Sequence, residues 1–324
     1  MKPRTINRRS TSRPSRSNAS SAKHESSLNI NGKTVSVSNL DKIFYPETGF
    51  TKGQVIDYYM RVSPVLLPHL KDRPLTLKRY PDGVEGGFFY EKRCPSHRPE
   101  WIQTASVWSD HHEEEINFCL ANDLPSIVWA ANLGDLELHT FLAKKQNVEC
   151  PTMVVFDLDP GPPANIIQCA QVAQWLKEEL DALNLESFPK TSGSKGLQIY
   201  IPLNTPVTYE ITKPFARTMA ERLTRDHPDL VLAKMEKRLR AGKVFVDWSQ
   251  NDSHKTTVCA YSLRAKERPT VSTPVTWDEV TNALNKRDAN RLTFLSDEVL
   301  KRVEKQGDLF EPVLTLKQKL PSLD

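Results

Sequence analysis

Residues 152–163 read TMVVFDLDPGPP, and this stretch decides how the chain is interpreted. An apolar run leads directly into Asp157 and Asp159, and a Pro/Gly cluster follows at once. Because side chains alternate along a strand, the two carboxylates share one face and Leu158 lies on the other. Two ionised carboxylates so placed repel each other unless cations lie between them. The stretch therefore predicts either a strand-end aspartate that caps the next helix and has an ion-pair partner, or a site for hard divalent metal ions.

The composition is that of an ordinary soluble globular protein, with 38% hydrophobic and 26% charged residues in 324. That length suits one large domain or two modest ones. No apolar run approaches the roughly 18 residues of a membrane span, and the N-terminus lacks the apolar core of a secretory signal. We therefore expect no membrane association and a cytoplasmic location.

The net charge of +4 is unevenly distributed. Residues 1–28 carry seven Lys and Arg against one Glu, so this segment is +6 and the remainder −2. It also holds eight serines and almost nothing to bury, which predicts a disordered basic tail. Such an arm can bind a polyanion by releasing counterions, or it can be a solvated leader without a partner. Its few apolar residues disfavour an organellar transit peptide.

The cysteines are odd in number and form no C-x-x-C pair; they are Cys94, Cys119, Cys150, Cys169 and Cys259. That pattern argues against a disulfide framework and against a structural zinc site, and it fits a reducing cytosol. We expect each cysteine to be a small, buried, free thiol.

Periodicity predicts strands that alternate with helices, which is typical of an α/β or α+β sheet protein. A hairpin is expected around Asn31-Gly32, and a helix that Thr51 caps is expected up to residue 70. An apolar stripe predicts a further helix after residues 152–163. Strands are expected at 197–203 and 243–249, with a helix around 212–225 between them.

Two further stretches supply chemistry that suits the paired aspartates. SGSKG at 192–196 precedes a strand, and its N–H groups, hydroxyl and ammonium suit phosphate oxygens, although the P-loop spacing is absent. Asp247 lies inside the apolar strand KVFVDWS, where an acid is costly unless it is paired or metal-bound. Basic residues flank that strand at Arg238, Arg240, Lys243, Lys255 and Arg264. Three acids with basic clamps predict two-metal phosphoryl or nucleotidyl transfer.

Seven motifs in order resemble the polymerase domain of bacterial ligase D, a member of the archaeo-eukaryotic primase superfamily. They are NLDKIFYPETGFTKGQVIDYY, RPLTLKRYPDG, ANLGDLELHT, FDLDPG, SGSKGLQIYIPL, GKVFVDWSQN and YSLRAKERPTVSTPVTWDEV. The resemblance implies an α/β (α+β), archaeo-eukaryotic primase-like core. A central mixed sheet flanked by helices would form an RRM-like module beside an N-terminal αβ module. We place this catalytic domain at 29–312, between the tail 1–28 and a C-terminal tail 313–324.

The resemblance implies a metal-binding triad of Asp157, Asp159 and Asp247 for two Mn²⁺ or Mg²⁺ ions. The first two acids would coordinate both ions, and the third would hold the ion that activates the primer 3′-hydroxyl. His139 would stand near the sugar and phosphates of the incoming nucleotide; its alternative role is that of a buried core histidine. Further nucleotide contacts are implied for Ser192, Lys195, Gln198, Arg240, Gln250 and Arg264.

DNA contacts are implied at two other places. Asn39, Lys42 and Lys52 match a pocket for the 5′-phosphate of a downstream DNA strand. Lys52 falls in the first turn of the expected helix, where N–H groups also favour an anion. Phe88 and Phe89 match aromatics that stack on bases, worth about 1–3 kcal/mol per stacked base. From the residues alone, both would be core strand aromatics.

The chain departs from the family at Gln198, where the family usually has histidine. Glutamine can hydrogen-bond a triphosphate or an acid but cannot titrate, so we expect activity with altered nucleotide affinity or metal preference. The strength of the phosphate site is therefore the property that Gln198 should change.

These features predict a template-directed primase-polymerase that extends primers at gaps or broken DNA ends with nucleoside triphosphates, preferring NTPs to dNTPs. Its setting would be end-joining repair in a bacterial nucleoid, with Ku and a DNA ligase as partners. Three alternatives stay open from sequence: a primer-independent primase, a catalytically idle scaffold that binds DNA ends and recruits Ku or a ligase, and a metal-dependent phosphohydrolase.

Overall fold

The computed structural model describes residues 25–109 and 113–323 as a mixed α/β arrangement of strands and helices. The strands are β1 (Glu25–Ile30), β2 (Lys33–Ser38), β3 (Ile43–Tyr45), β4 (Phe50–Thr51), β5 (Leu75–Arg79), β6 (Phe89–Glu91), β7 (Thr104–Ser109), β8 (Glu114–Cys119), β9 (Asp135–Thr140), β10 (Ala143–Lys144), β11 (Asn147–Pro151), β12 (Met153–Pro160), β13 (Phe188–Thr191), β14 (Leu197–Pro202), β15 (Val231–Leu232), β16 (Val244–Asp247) and β17 (Thr257–Val258). The helices are α1 (Lys52–Leu70), α2 (Leu124–Asn132), α3 (Ile166–Ala182), α4 (Tyr209–Asp226), α5 (Trp277–Lys286), α6 (Ser296–Gln306) and α7 (Pro312–Thr315).

The N-terminal module packs α1 and α2 against a six-stranded antiparallel sheet. The strand order is β17-β9-β5-β8-β7, and β6 pairs with β5 beside β8. Thr51 caps α1 as expected: its Oγ1 accepts from the Gln54 N–H, and its own N–H donates to Gln54. The expected hairpin joins β1 and β2 through Asn31 and Gly32, both at positive φ.

The second module is a five-stranded sheet in the order β13-β14-β12-β16-β15. Its neighbours are antiparallel except β15 and β16, so this is the mixed sheet that was expected. β12 lies at its centre, between β14 and β16. The apolar stripe of α3 and one face of α4 cover one side of this sheet.

The side chains of β12 divide between the two cores. Val154, Phe156 and Leu158 pack under the helices of the second module. Met153 and Val155 point the other way and join the core of the N-terminal module. Because the pleat continues, the aspartates that follow Val155 point toward the N-terminal module, away from the helices.

Two expectations about the chain ends need correction. β1 begins at Glu25, so the predicted tail 1–28 overlaps a strand; residues 1–24 lie outside the described residues. Beyond 312 the chain stays on the domain, because the Gln318 side chain donates to Glu186 and Pro202 carbonyls. Among the described helices, none combines the length and apolarity that a bilayer crossing requires.

The expectation that all five cysteines are free is wrong. Cys94 and Cys119 form a disulfide across 25 residues of sequence. The pairing of strands brings them together: Cys94 donates its backbone N–H to Asn117, and Cys119 ends β8. Cys169 and Cys259 are buried free thiols as expected, and Cys150 is partly exposed.

Candidate active site

The three predicted aspartates lie on neighbouring strands. Asp157 and Asp159 are on β12, and β16 runs antiparallel beside it so that Asp247 pairs directly with Asp157. On the other edge of β12, Gln198 of β14 also pairs with Asp157. Because directly paired residues point to the same face, strand pairing alone gathers these side chains.

The acid cluster is electrostatically unbalanced. Burial, and then the negative charges of Asp159 and Asp247, raise the pKa of Asp157 to about 7. The pKa of Asp159 is also raised, by burial and then by Asp247, although Arg240 counteracts this. Like charges that are held together in a partly desolvated place are suited to bind cations.

The donor chemistry of this cluster fits hard divalent ions, which prefer carboxylate oxygens. Asp247 already accepts hydrogen bonds from the N–H and hydroxyl of Ser249 and from Gln250. Within residues 25–109 and 113–323, no group of three or more His, Cys, Asp and Glu side chains stands ready to enclose an ion. The assignment of Asp157, Asp159 and Asp247 as ligands therefore stays a prediction that the chemistry of the residues supports.

A cavity of about 510 Å³ opens between the two sheets, over Asp157 and Asp159, whereas Asp247 is not one of its lining residues. Its lining brings together most of the predicted nucleotide-site residues: His139, Asp157, Asp159, Ser192, Lys195, Gln198, Gln250 and Arg264. Arg240 lies outside the lining; its guanidinium packs 3.9 Å from the ring centroid of Phe245 and donates to the Met235 carbonyl. Its contribution is the positive charge that it places near Asp159.

Glu137 organises the cationic side of this cavity, and the sequence reasoning missed it. Its carboxylate is only 2% exposed and lies 3.0 Å from His139 Nε2, 3.1 Å from Lys78 Nζ and 3.3 Å from Arg264 Nε. These cations and the His139 hydrogen bond hold its pKa well below the usual range despite burial. The available signal was the alternation in LELHT, which puts Glu137 and His139 on one face of β9. His139 is thus a hydrogen-bonded pocket residue.

The glycines of the 192–196 loop serve packing of the chain rather than close approach of a ligand. A Cβ on Gly196 would lie 2.0 Å from the Leu158 carbonyl oxygen, and one on Gly193 would lie 2.5 Å from Val271. Ser192 Oγ accepts the N–H groups of Ser194 and Gly196, at 3.2 and 3.1 Å. Those two N–H groups are therefore already used, which corrects the expectation that successive loop N–H groups hold phosphate.

The loop presents cations to the cavity. Lys195 is exposed and lines it, and Arg264 donates to the Ser192 carbonyl while it faces the same space. Three lining residues that were not singled out are Tyr90, Lys92 and His254.

The predicted 5′-phosphate residues form a separate turn at the start of α1. Asn39 has a left-handed backbone with φ of 54°, and the Lys42 N–H donates to its carbonyl. Lys52 is buried and its Nζ donates to the Ser38 carbonyl, 2.7 Å away. Lys42 Nζ lies 2.6 Å from Asp82. The three residues are brought together as expected.

Phe88 and Phe89 are surface residues, 54% and 44% exposed, so the alternative that they belong to the core is wrong. Phe88 stacks on Tyr80 with ring centroids 5.3 Å apart. Lys78 Nζ lies 4.8 Å from the Phe88 ring centroid and also bonds Glu137, which links this aromatic surface to the cavity. Exposed, prearranged rings beside cations are typical of a surface that stacks on nucleobases.

Comparison with known proteins identifies the relatives of the chain. Residues 51–310 match the family model described as LigD, primase-polymerase domain. The chain is 40% identical over 281 residues to a multifunctional non-homologous end joining protein LigD from Mycolicibacterium smegmatis, covering 86% of this chain and 36% of that protein. It is 35% identical to a bifunctional LigD from Bacillus subtilis, covering 83% and 42%. The chain thus spans well under half the length of these relatives.

A solved structure of a single domain is also similar to this chain. The polymerase domain from Mycobacterium tuberculosis ligase D, in complex with DNA, superposes with a TM-score of 0.80 at 39% identity. The match covers 88% of this chain and 99% of that domain, so the two share one mixed α/β fold. By sequence and by fold, the chain belongs to the LigD primase-polymerase domain family.

Proposed function

We propose that this chain is a template-directed nucleotidyltransferase that extends a primer at gaps or broken DNA ends in end-joining repair. The observation that carries the proposal is the pairing of Asp247 with Asp157, which lines a cavity together with Asp159, Lys195 and Arg264. The acids on one side would hold divalent ions next to a 3′-hydroxyl. The cations on the other side would bind a nucleoside triphosphate. The chain resembles the polymerase part of its longer relatives, and Ku and a DNA ligase are the proposed partners in a bacterial nucleoid.

In the proposed reaction, the primer 3′-oxygen bonds to the α-phosphorus of an NTP or dNTP and pyrophosphate leaves in line. Asp157, Asp159 and Asp247 would hold two divalent ions, Mn²⁺ or Mg²⁺. When bound, these ions would lower the pKa of the attacking hydroxyl and neutralise charge on the leaving group. Positioning and charge neutralisation would provide most of the catalysis.

The cavity residues have separate tasks in this proposal. Lys195 and Arg264 would bind the triphosphate, and Ser192 would order the loop that carries Lys195. Glu137 would keep His139 in place through a hydrogen bond and Arg264 through an ion pair. Gln198 and Gln250 would donate hydrogen bonds at the edge of the acid cluster.

DNA would be held away from the cavity at two surfaces. The turn with Asn39, Lys42 and Lys52 would take the 5′-phosphate of the downstream strand, and Phe88 and Phe89 would stack on bases at the gap. Two charged ammonium groups beside a helix start favour a phosphate.

Primer extension on gapped DNA tests the proposal, with ribo- and deoxyribonucleotides each supplied with Mn²⁺ or Mg²⁺. We expect templated addition in at least one combination, and none without divalent metal. Synthesis on single-stranded template without a primer would instead indicate a primase. DNA-end binding without any nucleotide addition would indicate the idle scaffold.

A further inference from the structure

Lys190 is a buried cation beside the acid cluster that the proposed reaction does not use. It is on β13, has 0% exposure, and its Nζ donates to Gln198 Oε1 at 2.5 Å and Ser272 Oγ at 2.6 Å. Among the described residues, it forms no ion pair with a carboxylate. A lysine so deeply buried needs a reason to keep its charge, because burial alone favours the neutral amine.

Strand register places Lys190 in one row with the acids. Lys190 pairs with Gln198, Gln198 pairs with Asp157, and Asp157 pairs with Asp247. The row thus crosses four adjacent strands, β13, β14, β12 and β16, on one face of the sheet. The order of the row is cation, amide, carboxylate, carboxylate, so the amide lies between unlike charges.

An amide between a cation and an anion has one favourable orientation. A lysine ammonium carries three donors and no acceptor, so Gln198 must turn its oxygen toward Lys190. Its Nε2 then faces the other way, where it donates to Thr257 Oγ1 at 3.1 Å, and its directly paired neighbour on β12 is Asp157. The other acceptor of Lys190, the Ser272 hydroxyl, donates its own proton to the Thr191 carbonyl. Ser272 therefore has no proton to donate toward Asp157 in place of the amide. Lys190, with a longer hydrogen bond of 3.4 Å from the Tyr200 hydroxyl to the same oxygen, therefore sets which end of the amide faces Asp157.

We propose that Lys190 is a positioning residue that acts through Gln198. By fixing the amide with Nε2 toward Asp157, it holds that carboxylate in place for a divalent ion. Without Lys190 the amide can turn its oxygen toward Asp157, and two facing acceptors repel each other. This inference rests on the proposed function, since it assigns a task to Lys190 at the metal-binding acids.

The test is direct binding of Mn²⁺ to the full chain, measured from the free-ion EPR signal without nucleotide or DNA. The titration is made at about pH 6.5, below the pKa of about 7 to which burial lowers Lys190, so that most of the ammonium is charged. We compare wild type with Lys190→Met, Gln198→Leu and the double variant. Each single change should weaken Mn²⁺ binding about tenfold or more, as is usual when a group that orients a metal ligand is lost.

The double variant separates positioning from simple packing. If Lys190 acts through Gln198, adding Lys190→Met to Gln198→Leu should cost little more than Gln198→Leu alone. The double variant also replaces both buried polar groups by apolar ones, so it stays informative if Lys190→Met fails to fold. Arg73→Met is the matched control: Arg73 is another buried cation, but it bonds the Leu142 carbonyl and Thr152, away from the acids. Its Mn²⁺ affinity should equal that of wild type.

Equal Mn²⁺ affinity in wild type and Lys190→Met would overturn the inference, as would additive losses in the double variant. Primer extension by the wild type distinguishes the two levels of the argument. A wild type that neither binds Mn²⁺ nor extends primers refutes the proposed function itself. If the wild type binds Mn²⁺ and extends primers, and Lys190→Met binds Mn²⁺ as tightly as the wild type, only the assignment of Lys190 is refuted.

Discussion

Asp157 and Asp247 are directly paired residues of two adjacent antiparallel strands, although 89 residues separate them in sequence. Their carboxylates therefore project from one face of the sheet into the space between the two modules. Burial and mutual repulsion raise the pKa of Asp157 to about 7, so this arrangement is unfavourable for the apo fold alone. A cluster that costs stability without a cation is typical of a functional site.

The acid cluster is tested by replacing Asp157 and Asp159 together with alanine. Primer extension should fall by about a thousandfold or more, because metal ligation supplies several kcal/mol of transition-state stabilisation. DNA binding should change little, since the proposed DNA contacts lie elsewhere. Gel-based extension and fluorescence anisotropy measure the two effects. Asp181→Ala, on the surface of α3, is the control, and extension by the double variant at the wild-type rate would show that the site is misassigned.

The 5′-phosphate site is tested by Lys42→Ala combined with Lys52→Ala. Wild type should bind gapped DNA about tenfold or more tightly when the downstream 5′ end is phosphorylated, because charge-assisted contacts are the strong ones. The double variant should bind phosphorylated and unphosphorylated gaps equally. Lys33→Ala, which removes a lysine paired with Asp123 on the same module, should keep the preference. Equal binding of both gaps by the wild type would count against this pocket.

The phosphate preference should also depend on pH. Burial, and then repulsion from Lys42, lower the pKa of Lys52 to about 8. Lys52 is therefore charged at pH 7 and loses its charge as the pH rises through about 8, while the phosphate stays dianionic. The ratio of affinities for phosphorylated and unphosphorylated gaps should thus fall between about pH 7 and pH 9. In Lys52→Ala the ratio should not change over this range; a constant ratio in wild type would contradict the argument.

The role of Glu137 is tested by Glu137→Gln, which keeps the shape and removes the charge. His139, Lys78 and Arg264 would then lose their shared anion, so the KM for the nucleotide should rise about tenfold or more. Steady-state extension kinetics, with thermal melting to check the fold, measure this. Glu91→Gln removes a similar ion pair, with Arg79, and should leave the KM unchanged. If Glu137→Gln keeps the wild-type KM, the buried Glu137 carboxylate has only a structural role.

The aromatic surface is tested by Phe88→Ala with Phe89→Ala. Loss of stacking at about 1–3 kcal/mol per base should weaken gapped-DNA binding by about tenfold or more. Folding should be little affected because both rings are about half exposed. Ile211→Ala on α4 removes a comparably exposed apolar side chain and should bind DNA normally. Unchanged DNA affinity in the double variant would remove these rings from the interface.

Much of this molecule could be predicted from local sequence. Thr51 and Gln54 indicate the start of α1, and Asn31-Gly32 indicates the first hairpin, because caps and tight turns depend on a few neighbouring residues. The alternation in FDLD gives the shared face of Asp157 and Asp159, and the family resemblance supplies the site residues. The structure brings most of these residues into one cavity.

Other features follow only from strand pairing and packing. Three features each join residues from separate elements: the register that sets Asp247 opposite Asp157, the ion pairs of Glu137 with Lys78 and Arg264, and the Cys94–Cys119 disulfide. The close packing of Gly196 on the Leu158 carbonyl, which a Cβ would prevent, also joins distant parts of the chain. The sequence by itself determined the first hairpin, helices α1, α3 and α4, and the face of β12 that carries the acids, since these depend on near neighbours. Only the tertiary structure decided which distant charges meet, because register and burial depend on contacts that no local pattern contains.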